Sequence, residues 1–292
     1  MPNTDSPPVL NVYVGCEPPQ VLAAKVLEHS ILLHTRGPVK VLRLNECVAN
    51  TPLDLSGRTM FSLQRYFIPE LNRYQGQAVY VDSDMLVFGD VWDLTRLRNP
   101  DVAVSSAQAP PGSGRRPQFS VMLIDCERAR WNPADIQRQA REDYRAVMYE
   151  LVFESSKSAC LPYQWNSLER YEKDTCLLHF TDMNIQPWVS SKNPLGPIWM
   201  DGLLAAIRDG FVKVDEVAQA EKNRWLRPGL LWQVENGERD AARRPVRYKL
   251  AELVYTPPHK PGFLVRRKQQ LLRAPASLGR RISRLMGQHR AG

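Results

Sequence analysis

Between Gln77 and Phe88 the chain reads Gln-Ala-Val-Tyr-Val-Asp-Ser-Asp-Met-Leu-Val-Phe. A strand-like run of β-branched and aromatic residues stops at two carboxylates, Asp82 and Asp84, and resumes as a second apolar run. Carboxylates at the end of a core strand are costly unless a cation or a basic partner neutralises them. A divalent cation meets that need. Hard oxygen ligands favour Mg²⁺ or Mn²⁺, ions that keep positions open for water or substrate phosphates, so the pair marks a place where a nucleotide diphosphate can be held. The plain alternative is a β-turn carrying two solvated aspartates.

The surrounding chain supplies an α/β context. Leu10–Val14 reads as a strand, and apolar residues recur at helical spacing through Val21, Ala24, Leu27, Ile31 and Leu32. Val39–Leu44 reads as a second strand, which completes a βαβ opening. Pro18 and Pro19 suit a helix start, where a missing N–H costs nothing. Such units place ligands at the carboxyl ends of their strands, so Gly15 falls where a base could approach the backbone. Thr59–Leu71 is expected to be helical. Val102–Ser105 and Phe119–Asp125 read as strands separated by a Pro/Gly/Arg loop over 107–117, long enough to act as a cover. Pro133–Phe153 is expected as one helix with Asn132 as its cap. Cys176–Thr181 is a further apolar strand, and Ile198–Arg208 a helix. His179 emerges from its strand much as the aspartates do, so all three can meet on one side of a single sheet, a ligand set that suits Mn²⁺. A hydrogen-bonded structural histidine is the alternative.

The 292-residue chain is 43% hydrophobic and 24% charged, the composition of an ordinary globular protein. Its five scattered cysteines read as reduced thiols, and its polar first residues carry no apolar leader, so the expected location is cytoplasmic. The formal net charge is +8 at pH 7, yet nine Lys and Arg and no Asp or Glu lie in residues 260–292. The preceding 259 residues therefore sum to −1, which argues against nucleic acid as the partner. Within the basic segment, Leu278, Ile282, Leu285 and Met286 recur at helical spacing beside Arg280, Arg281 and Arg284, a pattern suited to docking peripherally on an anionic membrane. A solvated basic tail is the alternative.

Six segments in order resemble glycosyltransferase family 8, the glycogenin-like and bacterial galactosyltransferase-like group. They are Val12-Tyr13-Val14-Gly15, Arg65-Tyr66-Phe67-Ile68-Pro69-Glu70-Leu71, Tyr80-Val81-Asp82-Ser83-Asp84, Val121-Met122-Leu123-Ile124-Asp125, Leu161-Pro162 before Trp165-Asn166, and His179-Phe180-Thr181 before Pro187-Trp188. The resemblance implies a GT-A fold, with a mixed central sheet flanked by helices, over residues 1–200. It is followed by a C-terminal elaboration over 201–259 and the basic helical extension over 260–292. It implies Mn²⁺-dependent transfer of a sugar, with retention of configuration, from a nucleotide-sugar donor such as a UDP-sugar to a glycan or lipid-linked acceptor. Carried over by position, Asp82, Asp84 and His179 are the metal ligands, while Arg65, Val14, Gly15, Glu17 and Ser83 belong to the donor site.

The chain also departs from that pattern. Gln118-Phe119-Ser120 stands where the family has an asparagine-containing triplet, and Arg145-Ala146-Val147 where it has Asp-Gln-Asp. Gln186 precedes Pro187-Trp188 in place of a phosphate-binding lysine, for which Lys192, Arg115 and Arg116 are candidate substitutes. The chain thus reads as a divergent branch. Two other readings stand beside it: a sugar nucleotidyltransferase, although Gly15-Cys16-Glu17-Pro18-Pro19 lacks the glycine-rich basic loop of that class, and a non-catalytic, membrane-associated pseudoenzyme.

Overall fold

The computed structural model of the chain describes residues 8–49 and 61–260. Thr59, Met60 and the basic segment 261–292 lie outside the described residues, and so does the membrane-docking pattern around Leu278–Met286.

Among the described residues two sheets form. The larger is built from β1 (Leu10–Gly15), β2 (Val39–Arg43), β3 (Gln77–Asp82), β5 (Val104–Ala107), β6 (Gln118–Asp125) and β7 (Lys157–Leu161) in the order β2-β1-β3-β6-β5-β7. β1 runs parallel to β2 and β3, β6 antiparallel to β3 and β5, and β7 parallel to β5, giving a mixed sheet. The smaller sheet joins β4 (Met85–Val87), β8 (Ser167–Leu168) and β9 (Leu177–His179) in the order β4-β9-β8.

Strand alternation separates two cores. Tyr13, Ala78, Tyr80, Met122 and Ile124 face a cluster with Tyr66, Trp131 and Met148. Val12, Val14, Val79, Val81, Val121 and Leu123 face the opposite cluster with Ala24, Leu27 and Ile31 of helix α1 (Val21–His34). On its far side α1 presents Leu22, Ala23 and Val26 to a third cluster, containing Leu86, Phe180, Trp188 and residues of the C-terminal helices. Burial on two sides explains why α1 is apolar around most of its circumference. Helix α4 (Gly196–Arg208) contributes Trp199, Met200, Leu203 and Ala206 to that third cluster and runs through residue 200 without a break. Helices α5 (Val214–Lys222) and α6 (Leu230–Glu235) add Val217, Ala220, Leu230 and Val234 to it, and α7 (Val246–Leu253) follows. No helix among the described residues is long and apolar enough to cross a membrane.

The expected single helix over Pro133–Phe153 is two helices, α2 (Pro133–Glu142) and α3 (Tyr144–Glu150). Asp143 adopts extended backbone between them and its carboxylate caps α3 by accepting from Ala146 N, while Leu151 ends α3 in the left-handed region at φ 45°. Asn132 does cap α2, accepting from Ala134 N and Asp135 N. Replacing Asn132 with alanine should lower unfolding stability by about 1 kcal/mol, measurable from the urea midpoint. The segment entering β3 is helical only in pieces, Phe61–Gln64, a tight 3₁₀ turn over Arg65–Phe67, and Ile68–Leu71. Pro69 has no N–H to give to Arg65, which accounts for the interruption. β7 was not legible as a strand, since Lys-Ser-Ala-Cys-Leu has little β-branched character; its pairing with β5 supplies the order. All five cysteines are free thiols, with Cys16 and Cys126 buried and Cys47 exposed.

Candidate functional site

Two backbone ladders position the acidic pair. β1 and β3 end together with Gly15 opposite Asp82, and Ser83 N donates to Gly15 O at 3.1 Å, which keeps the turn on the sheet. Asp84 O then accepts from Phe180 N at 2.9 Å, and Met85 pairs with His179 as β4 meets β9. The three side chains therefore come together across the junction of two sheets; the expectation of a single sheet is corrected, because the chain leaves the large sheet at Ser83. One ligand atom from each of Asp82, Asp84 and His179 lies within 4.8 Å of the others.

The polar contacts around this cluster fix its orientation. His179 Nδ1 donates to Asn166 Oδ1 at 2.8 Å, and the Asn166 amide in turn donates to Ser120 Oγ at 3.1 Å. With Nδ1 carrying its hydrogen, the neutral ring turns an unprotonated Nε2 toward Asp84 Oδ1, 3.2 Å away. Two lone pairs then face each other, and Asp84 Oδ1 is buried without a hydrogen-bond donor. Either a proton or a cation must sit between them. The other oxygen, Asp84 Oδ2, accepts from Gln186 Nε2 at 2.8 Å, and Gln186 also donates to Phe180 O. The Tyr80 hydroxyl donates to Asp82 Oδ1.

The electrostatics are consistent with a cation-binding role. Burial raises the Asp82 pKa, Arg65 opposes it and Asp84 adds to it, leaving the carboxyl above its ordinary value. Burial pulls the His179 pKa down, but the charge and contact of Asp84, with Asp82 and Glu169, leave it above the ordinary value. Both groups are thus strained toward carrying protons that a divalent cation would replace. Two carboxylates and an imidazole fit Mn²⁺ or Mg²⁺, and the buried Asp84 oxygen that meets no donor is a group such an ion would satisfy.

The cluster opens on a cavity of about 860 Å³ whose walls carry Arg65, Arg115, Arg116, Arg145 and Glu150. Arg65 is buried and fixed: Nε donates to Ser62 O and Nη1 to Phe119 O, each at 2.9 Å, and the guanidinium lies 4.7 Å from the Tyr80 ring centre. Its Nη2 reaches to 4.0 Å from Asp82 Oδ1. Arg115 and Arg116 come from the loop after β5, so two of the three candidate phosphate ligands face this cavity. Lys192 lines a separate cavity.

Val14, Gly15, Glu17 and Ser83 are not on the cavity wall among the described residues. The Val14 side chain is buried in the core beneath the sheet. At Gly15 an added Cβ would stand 2.5 Å from the Tyr80 hydroxyl, so this position must be glycine for Tyr80 to reach Asp82. Glu17 is partly exposed and begins the turn into α1, and Ser83 is buried with its hydroxyl unpartnered. The supporting roles of Asn166, Ser120 and Gln186 carry no signal in the spacing, because each depends on a contact between separate elements, whereas Tyr80 stands two residues before Asp82 on the same strand.

The architecture has solved counterparts. The glycosyltransferase GlyE of Streptococcus pneumoniae TIGR4 superposes with a TM-score of 0.52 at 16% identity, over 69% of this chain and 64% of GlyE. Its apo form gives 0.50 at 18% identity over 66% and 60%. The fold is GT-A. The match spans under two thirds of the GlyE chain. Among curated proteins, Protein CDI of Arabidopsis thaliana is 24% identical over 187 residues, covering 56% of this chain and 70% of that protein. No family model matches the chain. On the GT-A sheet, the Asp82–Asp84 pair stands at the carboxyl end of β3, beside the end of β1, where open α/β sheets place their ligands.

Proposed function

We propose that this chain is a metal-dependent, retaining glycosyltransferase related to family 8, moving a sugar from a nucleoside diphosphate donor, a UDP-sugar, to a glycan or lipid-linked acceptor. The observation that carries the reading is the convergence of Asp82, Asp84 and His179 on a cavity walled by arginines. The GT-A fold and the six ordered segments support it. Asp82, Asp84 and His179 hold Mn²⁺ or Mg²⁺; when bound, the cation offsets the charge that builds on the departing diphosphate. Arg65, locked by two carbonyls, presents its charge without further loss of rotamer freedom. Arg115 and Arg116 take the outer phosphate oxygens. Donor contacts by Val14, Gly15 and Glu17 are through backbone or from the rim, and Ser83 sets the turn between the two acids. Retention by front-face attack requires no protein nucleophile. The basic segment 260–292 brings the enzyme to the inner face of an anionic membrane.

The reading is tested by thermal denaturation with Mn²⁺ and a panel of nucleotide sugars, followed by product analysis. At least one donor should raise Tm only when metal is present; no shift with any nucleotide would refute both this reading and the sugar nucleotidyltransferase one, leaving a non-catalytic role. Detection of nucleotide exchange onto a sugar phosphate would favour the nucleotidyltransferase instead.

Asn166 offers a finer check. Replacing Asn166 with leucine removes the acceptor that sets the His179 tautomer and should weaken Mn²⁺ binding by about 10- to 100-fold, read by calorimetry. The ligands themselves are untouched, so unchanged affinity would show that Asn166 does not orient the ring.

A further inference from the structure

Helix α7 is unusual among the C-terminal helices in burying no residue. Val246, Leu250, Leu253 and the following Val254 fall at helical spacing on one side and are 66%, 60%, 78% and 78% exposed. Arg247 flanks this ridge on one side and Lys249 on the other. Lys249 and Leu253 also border a cavity of about 730 Å³, on the wall of which Lys192 and Lys260 stand. The acids beside that cavity are already engaged: Glu252 accepts from Arg244 Nη2 and Ser191 N, both at 2.7 Å, and Asp240 accepts from Ala242 N. Among the described residues none of the three lysines is paired with a carboxylate. The Tyr255 hydroxyl, also of the cavity wall, is buried without a partner.

We propose that α7 and this cavity form a docking surface for an anionic lipid bilayer. A lipid phosphate enters the cavity, where Lys192, Lys249 and Lys260 supply charge and Tyr255 a donor. The Val246–Val254 ridge enters the boundary between headgroups and acyl chains. Charge selects this occupant. A second copy would set two lysine-flanked ridges against each other, and residues 261–292 carry eight Lys and Arg and no acid, so both would be repelled where anionic lipid is attracted. This extends the membrane reading above from the basic segment to the folded body. It is independent of sugar transfer, since donor binding is measured separately.

The test is cosedimentation of the full chain with phosphatidylcholine vesicles, with and without phosphatidylglycerol. Wild type should bind the anionic vesicles preferentially. Replacing Leu250 and Leu253 together with aspartate should weaken that binding about tenfold or more. Lys192→Glu and Lys249→Glu should each cost about fivefold and flatten the salt dependence. All four positions are outside the metal site, so Tm and its metal-dependent shift with donor should be unchanged, which shows that the variants are folded. The proposal is overturned if wild type ignores phosphatidylglycerol, or if the double aspartate variant binds as wild type does, because the basic segment alone then accounts for binding. It is also overturned if light scattering shows a wild-type dimer that Leu253→Asp converts to monomer.

Discussion

Replacing Asp84 with alanine should reduce sugar transfer by about 10³-fold, on the scale of several kcal/mol of charge stabilisation supplied by a bound cation. The substitution removes one of the three side chains proposed to hold the cation, together with the acceptor that Gln186 holds in place. Gln186 retains its bond to Phe180 O, and the backbone bond from Phe180 N to Asp84 O does not depend on the side chain. The fold therefore has no reason to fail. Without metal, the variant should melt at or above the wild-type temperature, because a buried carboxylate beside Asp82 has been removed. With Mn²⁺ and donor, the wild type should gain Tm and the variant should not. A variant that keeps the ligand-dependent gain would remove Asp84 from the metal site, and one that melts early without metal would make its role structural.

The largest stability effect is expected at Trp199. Its indole is fully buried on α4, 5.4 Å from the Trp188 ring centre, and packs in the cluster that includes Leu86 and Phe180. Trp199→Ala should cost about 3–5 kcal/mol, a drop in Tm of roughly 10 °C for a chain of this size. Trp199 Nε1 is buried without a hydrogen-bond partner, so Trp199→Phe gives up ring volume but no hydrogen bond and should cost under half as much. Leu86 and Phe180 lie close in sequence to Asp84 and His179, so the alanine variant should also weaken Mn²⁺ binding. Equal losses for alanine and phenylalanine would mean that the indole nitrogen has a partner.

Much of the sheet was readable from pattern. Strands such as Leu10–Gly15 and Gln118–Asp125 bury residues on both faces, and their β-branched runs are long enough to declare themselves. The second sheet was not: Met85–Val87 registered only as an apolar run and Cys176–Thr181 as a strand without a partner, while Ser167–Leu168, two residues long, is too short for any period to register. Hence the second sheet, and with it the route by which His179 reaches Asp84, could not be drawn from the sequence. Gly15 carries a constraint that the sequence does not show. A glycine after the first strand suggested backbone open to a base, and the fold adds that the closest group to its missing side chain is the Tyr80 hydroxyl. Asp143, an ordinary polar residue in a helical pattern, became a break because its side chain caps the next helix.

By itself the sequence determined that an apolar strand would end in two carboxylates, since the apolar character of Val79–Val81 and the cost of charge beside hydrocarbon are local properties. Tertiary structure alone decided how those carboxylates are held. Gln186 meets Asp84 across 102 residues and Asn166 meets His179 across 13, through ladders whose register is fixed by packing of whole elements. Hydrogen bonds act over about 3 Å, so no reading of composition or spacing could choose those partners before the two sheets were joined.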